Sequence, residues 1–265
     1  MAITDLHAER AVEPRALLDE RNAAGPMIVV RLKYAHNDPL FYKVKFSVVS
    51  ASNLEAARLL AEGKADAGFV PVTMAAELGL PIVPRLAVYS TGPVISARIF
   101  RGRGAGRYAA VSDTTVNARA AAVLLGVKFE KVEDPWRALD EYEGVLVIGD
   151  DALRMADRGL DYIADIGELW QERIGTPLIY AVLAARAGLS RALAEDIADE
   201  LENSLAAFYE DPVPLVKRTA GRLGVGEAII SNYFTRVKYL MNDAALRGLE
   251  REVELLGLRE LKFIS

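Results

Sequence analysis

Short apolar runs rich in Val and Ile alternate along this chain with stretches whose apolar residues return at helical spacing. The alternation predicts strands over 27–33, 44–50, 67–70, 86–89, 94–100, 108–111, 127–132, 145–148 and 178–184. Helices are predicted between them over 53–62, 73–78, 115–125, 135–142, 151–156 and 167–173. Gly63, Gly79 and Gly126 stand where three of these helices stop, and Asn53 stands where a cap would start one. From Ser190 onward the pattern is almost wholly helical, over 191–209, 214–223, 227–239 and 244–256. Strands alternating with helices imply a mostly parallel sheet with both faces covered. Two such series followed by a helical tail predict two α/β lobes with a cleft between them. The expected division is an N-terminal extension over 1–26, a discontinuous first lobe over 27–101 and 178–265, and a second lobe over 102–177.

Composition narrows the chemistry. The chain has 265 residues, 52% of them hydrophobic and 26% charged, which suits a soluble globule that needs no staple. It contains no cysteine, so thiolate catalysis, iron–sulfur ligation, Cys-rich zinc sites and a lipid-anchored cysteine are all excluded. Its histidines are His7 and His36, too few for an all-histidine zinc site. The net charge of −5 argues against a nucleic-acid partner. No apolar run approaches the ~18–20 residues of a membrane span. Residues 1–26 are acidic rather than a basic start followed by an apolar core, so they are not read as a secretory signal. They are expected to carry one short helix near 14–21, and the expected compartment is the cytoplasm. Phosphate-loop, zinc-protease and nucleophile-elbow motifs are absent. The cluster Gly102-Arg-Gly-Ala-Gly106, flanked by Arg98, Arg101, Arg103 and Arg107, lacks dinucleotide-fingerprint spacing and reads as a solvated turn.

Three loops carry candidate chemistry. Tyr34-Ala-His36-Asn37-Asp38-Pro39 follows the first strand, where open α/β sheets bind ligands. A ring, an amide and a carboxylate there fit either a site or an Asn/Asp turn before proline. Ser112-Asp-Thr114-Thr115-Val-Asn117 joins a strand to a helix and offers more hydroxyls than capping needs, which points to an anion at the helix start. Ser90-Thr91-Gly92 lies between two strands; alone it reads as a crossover turn.

Taken together these segments resemble the MqnA family, the chorismate dehydratases of the futalosine route to menaquinone. The family's Asp-Leu-Gly-x-x-Trp followed by Thr-Gly-Leu-Pro is similar to Asp165-Ile-Gly167-Glu-Leu-Trp170 followed by Ile174-Gly175-Thr176-Pro177. Its Gly-Asp-x-Ala-Leu is similar to Gly149–Leu153, its Ser-x-Thr-Ser to Ser112–Thr115, and its Gly-Pro-Val-x-Ser to Gly92–Ser96. Order and spacing agree over roughly 27–258. Where the family reads Tyr-Leu-Asn-x-x-Pro, with the Asn tied to catalysis, this chain keeps Tyr34 and Pro39 but places His36 at the Asn position and Asn37 one residue later. The string from Asn37 to Tyr42 also resembles the related naphthoate synthases, the MqnD family.

The resemblance implies a periplasmic-binding-protein-like (type II) two-lobed α/β fold, no cofactor or metal, and chorismate as the small-molecule partner of a monomer or homodimer. It implies loss of water from chorismate to give 3-[(1-carboxyvinyl)oxy]benzoate. Asn37 or His36 would act on the ring hydroxyl, and Ser112, Thr114, Thr115 and Asn117 would hold one carboxylate. Ser90, Thr91 and Gly92 would hold the other. A non-catalytic small-carboxylate receptor of the same fold is the main alternative.

Overall fold

The computed structural model describes residues 26–265; the helix expected near 14–21 and His7 lie outside the described residues. The strands collect into two sheets. The first contains β1 (Ile28–Leu32), β2 (Ser47–Ala51), β3 (Ala67–Pro71), β4 (Pro81–Ser90), β10 (Leu178–Ala185) and β11 (Lys238–Leu240) in the order β11-β4-β10-β3-β1-β2, with β12 (Lys262–Phe263) also on β4. The second has the order β7-β6-β8-β5-β9, formed by β5 (Ala97–Arg101), β6 (Tyr108–Val111), β7 (Phe129–Val132), β8 (Gly144–Ile148) and β9 (Tyr162–Asp165). This is the periplasmic-binding-protein-like fold, with the chain passing from one sheet to the other after β4 and returning before β10.

The sheets are mixed rather than mostly parallel. β1 pairs in parallel with β2 and β3, and β6 with β7 and β8. The strands that flank the two crossings run the other way: β10 is antiparallel to β3 and β4, and β5 to β8 and β9. A strand that leaves for the other sheet, or comes back from it, does not enter through a right-handed helical crossover, so the rule that enforces parallel pairing does not bind it. For the same reason β5 belongs to the second sheet, although the sequence expectation kept 94–101 with the first lobe.

Every residue of β3 is buried, and β10 is nearly as covered, which is why both read as unbroken apolar runs. Helices α1 (Asn53–Ala61), α2 (Val72–Leu78), α7 (Arg191–Glu210) and α10 (Asp243–Leu255) pack on the first sheet. Around the second lie α3 (Val116–Leu125), α4 (Pro135–Ala138), α5 (Gly149–Asp157) and α6 (Ile166–Ile174), while α8 (Val213–Leu223) and α9 (Glu227–Arg236) bring the tail back against α5.

The first crossing, residues 91–96, is held by one carboxylate. Asp165, 1% exposed, accepts from Val94 N (2.9 Å) and Ile95 N (2.8 Å) and from Arg98 Nε (3.1 Å), and it caps α6 through Glu168 N. This grip keeps Ile95 at φ +69°, a left-handed conformation that costs a β-branched residue about 1–2 kcal/mol. Gly167, two residues on, has no room for a side chain: a Cβ there would meet Gly92 O at 2.4 Å and Ser90 Oγ at 2.6 Å. Trp170 is fully buried, with its Nε1 donating to Thr176 Oγ1 at 3.3 Å. The Asp-Ile-Gly-Glu-Leu-Trp segment therefore holds the crossing between the sheets.

Candidate active site

A pocket partly open to solvent lies between the sheets. Its floor is apolar, from Leu32, Val88, Val94, Ile148 and Ala181. Polar side chains enter from both sides: Tyr34, His36, Asn53 and Tyr180 from the first sheet's half, and Ser96, Asp113, Thr115 and Asn117 from the second's.

The loop after β1 turns through a short 3-10 segment, Ala35–Asn37. Successive residues in such a turn point about 120° apart, and this separates the two catalytic candidates. His36 lines the pocket, and its Nε2 is buried without a partner. Asn37 is turned off the pocket. It is fully buried, its Oδ1 accepts from Leu32 N at 2.6 Å, and it does not line the pocket. Burial lowers the His36 pKa to about 4; nearby Asp38 opposes the shift and Arg31 adds to it. The imidazole is neutral at pH 7. Asp38 sits behind the loop, bound to Arg31, to Arg222 Nη2 (2.8 Å) and to Thr219 Oγ1 (2.8 Å). Burial alone would raise its carboxyl, but the two guanidiniums and the hydroxyl hold it below the usual range.

Tyr34 lies with its ring centroid 5.7 Å from that of His36 and donates its hydroxyl to Asp113 across the cleft. Burial first, and then Asp113, push the phenol well above its ordinary pKa. Gly149 makes room for this ring: at φ +63°, a Cβ there would stand 2.4 Å from Tyr34 Cδ1. The neighbouring Asp150 accepts from Ala35 N at 2.8 Å and from Arg222 Nη1 at 3.1 Å. Asn53 donates through Nδ2 to the Asp113 carbonyl at 2.8 Å. Asp113 is the one ionisable acid or base besides His36 and the tyrosines on the described pocket wall.

The second loop divides in the same manner. Thr115 and Asn117 line the pocket, and no side chain caps α3, so the first N–H groups of that helix lack an internal acceptor. Ser112 is exposed and donates to Glu133, away from the cleft. Thr114 donates to Val111 O at 2.6 Å, closing its own turn. The third loop supplies no wall residue. Ser90 is buried behind Tyr180, with its Oγ 2.8 Å from that hydroxyl and 2.9 Å from Gly92 O; Thr91 is exposed, and Gly92 lies off the pocket. The structure thus brings His36, Thr115 and Asn117 together and leaves Asn37, Ser90, Thr91, Gly92, Ser112 and Thr114 outside the wall.

Asn53, Ser96, Asp113, Tyr180 and Tyr233 are wall residues that the sequence reading did not select. Asn53 carries a helix-cap signal, Asp113 and Ser96 fall inside the motifs over 112–115 and 92–96, and Tyr180 stands out as a phenol inside the apolar run of β10. Among the described residues no group of three or more His, Asp or Glu side chains could hold a metal ion. Of the arginines around Gly102–Gly106, Arg103 pairs with Asp140 and Arg107 with Glu130 on an exposed face, while Arg98 pairs with the buried Asp165.

The model of the menaquinone biosynthesis family matches residues 27–256. A chorismate dehydratase of Thermus thermophilus is 26% identical, over 88% of this chain and 96% of that protein. Among solved structures, a protein of Archaeoglobus fulgidus superposes with a TM-score of 0.67 at 19% identity, covering 89% of this chain and 99% of the other. A Candida albicans gene product of the generic periplasmic-binding-protein fold gives 0.65 at 11% identity, covering 88% and 90%. The alkanesulfonate-binding protein of Xanthomonas axonopodis, bound to MOPS, gives 0.64 at 14% identity, covering 87% and 92%. With its family model matched over 27–256 and its polar pocket between two sheets, this chain belongs to the menaquinone biosynthesis family.

Proposed function

We propose that the protein is a chorismate dehydratase, a carbon–oxygen lyase that removes water from chorismate and releases 3-[(1-carboxyvinyl)oxy]benzoate. One ring hydrogen leaves as a proton and the neighbouring ring hydroxyl leaves with its bonding pair. The two make water, the ring becomes aromatic, and no electron is exchanged with an outside partner. The observation that carries the reading is His36: a neutral imidazole on the pocket wall whose Nε2 has no partner in the chain.

In the tautomer protonated on Nδ1, Nε2 carries a free lone pair and takes the ring proton. A pKa of about 4 makes the empty site a weak base. A bound dianion raises it, since negative charge beside an imidazole favours the imidazolium. The acid so formed can return the proton to the departing hydroxyl. The helix-start N–H groups behind Thr115, together with the hydroxyls of Thr115, Ser96 and Tyr233, suit a carboxylate. Asn37 supports the loop through its bond to Leu32 N rather than meeting substrate.

Incubation of the protein with chorismate tests the proposal. The expected result is loss of chorismate and appearance of an aromatic product one water lighter, with turnover by His36→Ala reduced by about 10²–10⁴-fold. Binding without conversion by the wild type would favour a carboxylate receptor and contradict the proposal.

A further inference from the structure

We infer that Arg222 positions His36 for the reaction: from outside the pocket, its guanidinium braces both sides of the loop that carries the imidazole. The inference rests on the role given to His36 above and adds the residue that holds it in place.

The neighbours of His36 in the loop after β1 are tied down. Ala35 N donates to Asp150 Oδ1 at 2.8 Å, and Asn37 Oδ1 accepts from Leu32 N at 2.6 Å. Asp38 accepts from Thr219 Oγ1 at 2.8 Å and from Arg31. His36 Nε2 has no partner, so the direction of its ring is set by the backbone that these neighbours hold. Successive side chains stand about 120° apart in a 3-10 turn, and a slip of that backbone takes the ring off the pocket.

Two carboxylates do much of this holding, and Arg222 joins them. Its Nη1 donates to Asp150 Oδ2 at 3.1 Å and its Nη2 to Asp38 Oδ2 at 2.8 Å. Asp150 spends its other oxygen on Ala35 N. One guanidinium near the end of α8 thus reaches the residue before His36 through Asp150, and the second residue after it through Asp38. The two carboxylate side chains are 15% and 7% exposed, whereas the arginine is 41% exposed and does not line the pocket. Without Arg222, Asp38 would still keep Arg31; among the described residues Asp150 has no other ion-pair partner. Burial already pushes the Asp150 carboxyl up, against the pull of Ala35 N and Arg222. Loss of Arg222 makes that carboxylate easier to protonate and weakens its charge-assisted bond to Ala35 N. The planar fork serves two acceptors at once, which a lysine ammonium does not reproduce.

The test is a double-mutant cycle on chorismate turnover with the wild type, Arg222→Met, His36→Ala and the pair, read beside amide hydrogen exchange. Positioning through His36 predicts that Arg222→Met lowers kcat about tenfold and leaves KM within about twofold. In the His36→Ala background the same substitution changes kcat by less than about twofold, because the group it positions is gone. Exchange at the Ala35 amide rises about tenfold, while exchange at Val182, in the middle of β10, stays as in the wild type. Arg222→Lys, which keeps the charge without the fork, replaces Arg222→Met in every arm if the latter folds poorly. Equal losses of kcat in both backgrounds, or a loss confined to KM, would overturn the inference. So would an Ala35 amide that exchanges as in the wild type, or that speeds up no more than Val182. A wild-type protein that leaves chorismate unchanged overturns the chorismate reading, and the exchange arm then decides the bracing by Arg222 on its own.

Discussion

His36 and Glu252 are two buried ionisable groups whose environments make opposite predictions. With its pKa lowered to about 4, His36 stays neutral through the range where an ordinary histidine titrates. The acid limb of kcat/KM for the free enzyme is therefore expected near pH 4 rather than near 6.5. Substitution His36→Asn should remove that limb along with most of the activity; a pH–rate profile measures both. Stability follows the same shift. The unfolded chain gains a proton below about pH 6.5 that the folded chain refuses until pH falls to about 4, so His36 costs stability as pH drops through that window.

Glu252 behaves in the reverse sense. It is fully buried on α10, its Oε2 accepts from Ile179 N at 2.9 Å and its Oε1 has no partner. Burial raises its pKa well above the usual carboxyl value. The folded chain then holds a proton that the unfolded chain releases, and stability falls as pH rises above the unfolded value, by up to ~1.4 kcal/mol per pH unit. Glu252→Gln keeps the bond to Ile179 N and removes this slope. Its melting temperature should match the wild type near pH 4.5 and exceed it at pH 8; equal melting temperatures at both would show that Glu252 does not hold its proton in the fold.

At the scale of elements, the strands buried on both faces read most plainly from the chain, although the half-exposed β2 and β7 also fall within the strands expected over 44–50 and 127–132. β3, β8 and β10 are continuous apolar runs, and composition alone marks them. β4 was expected over 86–89 but runs Pro81–Ser90; its first half carries Pro81, Pro84 and Arg85 and pairs with a register shift against β10. β9, β11 and β12 are short, and their pairing partners lie far away in sequence, so no local pattern announces them. β11 takes residues 238 and 239 from the predicted last turn of α9, because Tyr239 buries itself against the core while its strand pairs with β4. Loops were legible as places but not as directions. His36 and Asn37, or Ser112 and Thr115, have similar chemistry on paper; a turn of backbone decides which faces the pocket.

The crossing held by Asp165 belongs to this scale. Asp165→Ala would leave Val94 N, Ile95 N and the Arg98 guanidinium unpaired in the interior, at a cost of ~3–5 kcal/mol in denaturant unfolding. A loss under 1 kcal/mol would mean that the segment does not depend on this carboxylate.

For the whole molecule, the cleft is shut by bonds whose acceptors come from one half and donors from the other. Asp113 takes Tyr34 and Asn53, with Lys33 Nζ at 3.8 Å; Asp150 takes Ala35 N and Arg222; Asp157 takes Gly226 N at 3.1 Å. The sequence predicts two α/β halves with a gap, but only the folded chain pairs loop 34–36 with loop 113–117. Removing the Tyr34 hydroxyl or the Asp113 charge weakens that closure by about 1 kcal/mol each. Tyr34→Phe and Asp113→Asn should therefore enlarge the radius of gyration of the ligand-free protein in X-ray scattering; unchanged curves would show that these bonds do not govern opening. Gly149→Ala should act in the same direction, because its Cβ displaces the Tyr34 ring.

The central claim concerns chemistry in this gap, and chorismate turnover followed by ultraviolet absorption and product mass addresses it directly. The account predicts that the wild-type protein converts chorismate into an aromatic ether lighter by one water, and that His36→Ala, still folded, does so at least a hundredfold more slowly. Intact chorismate recovered from the wild type, or equal rates from the two proteins, would contradict it.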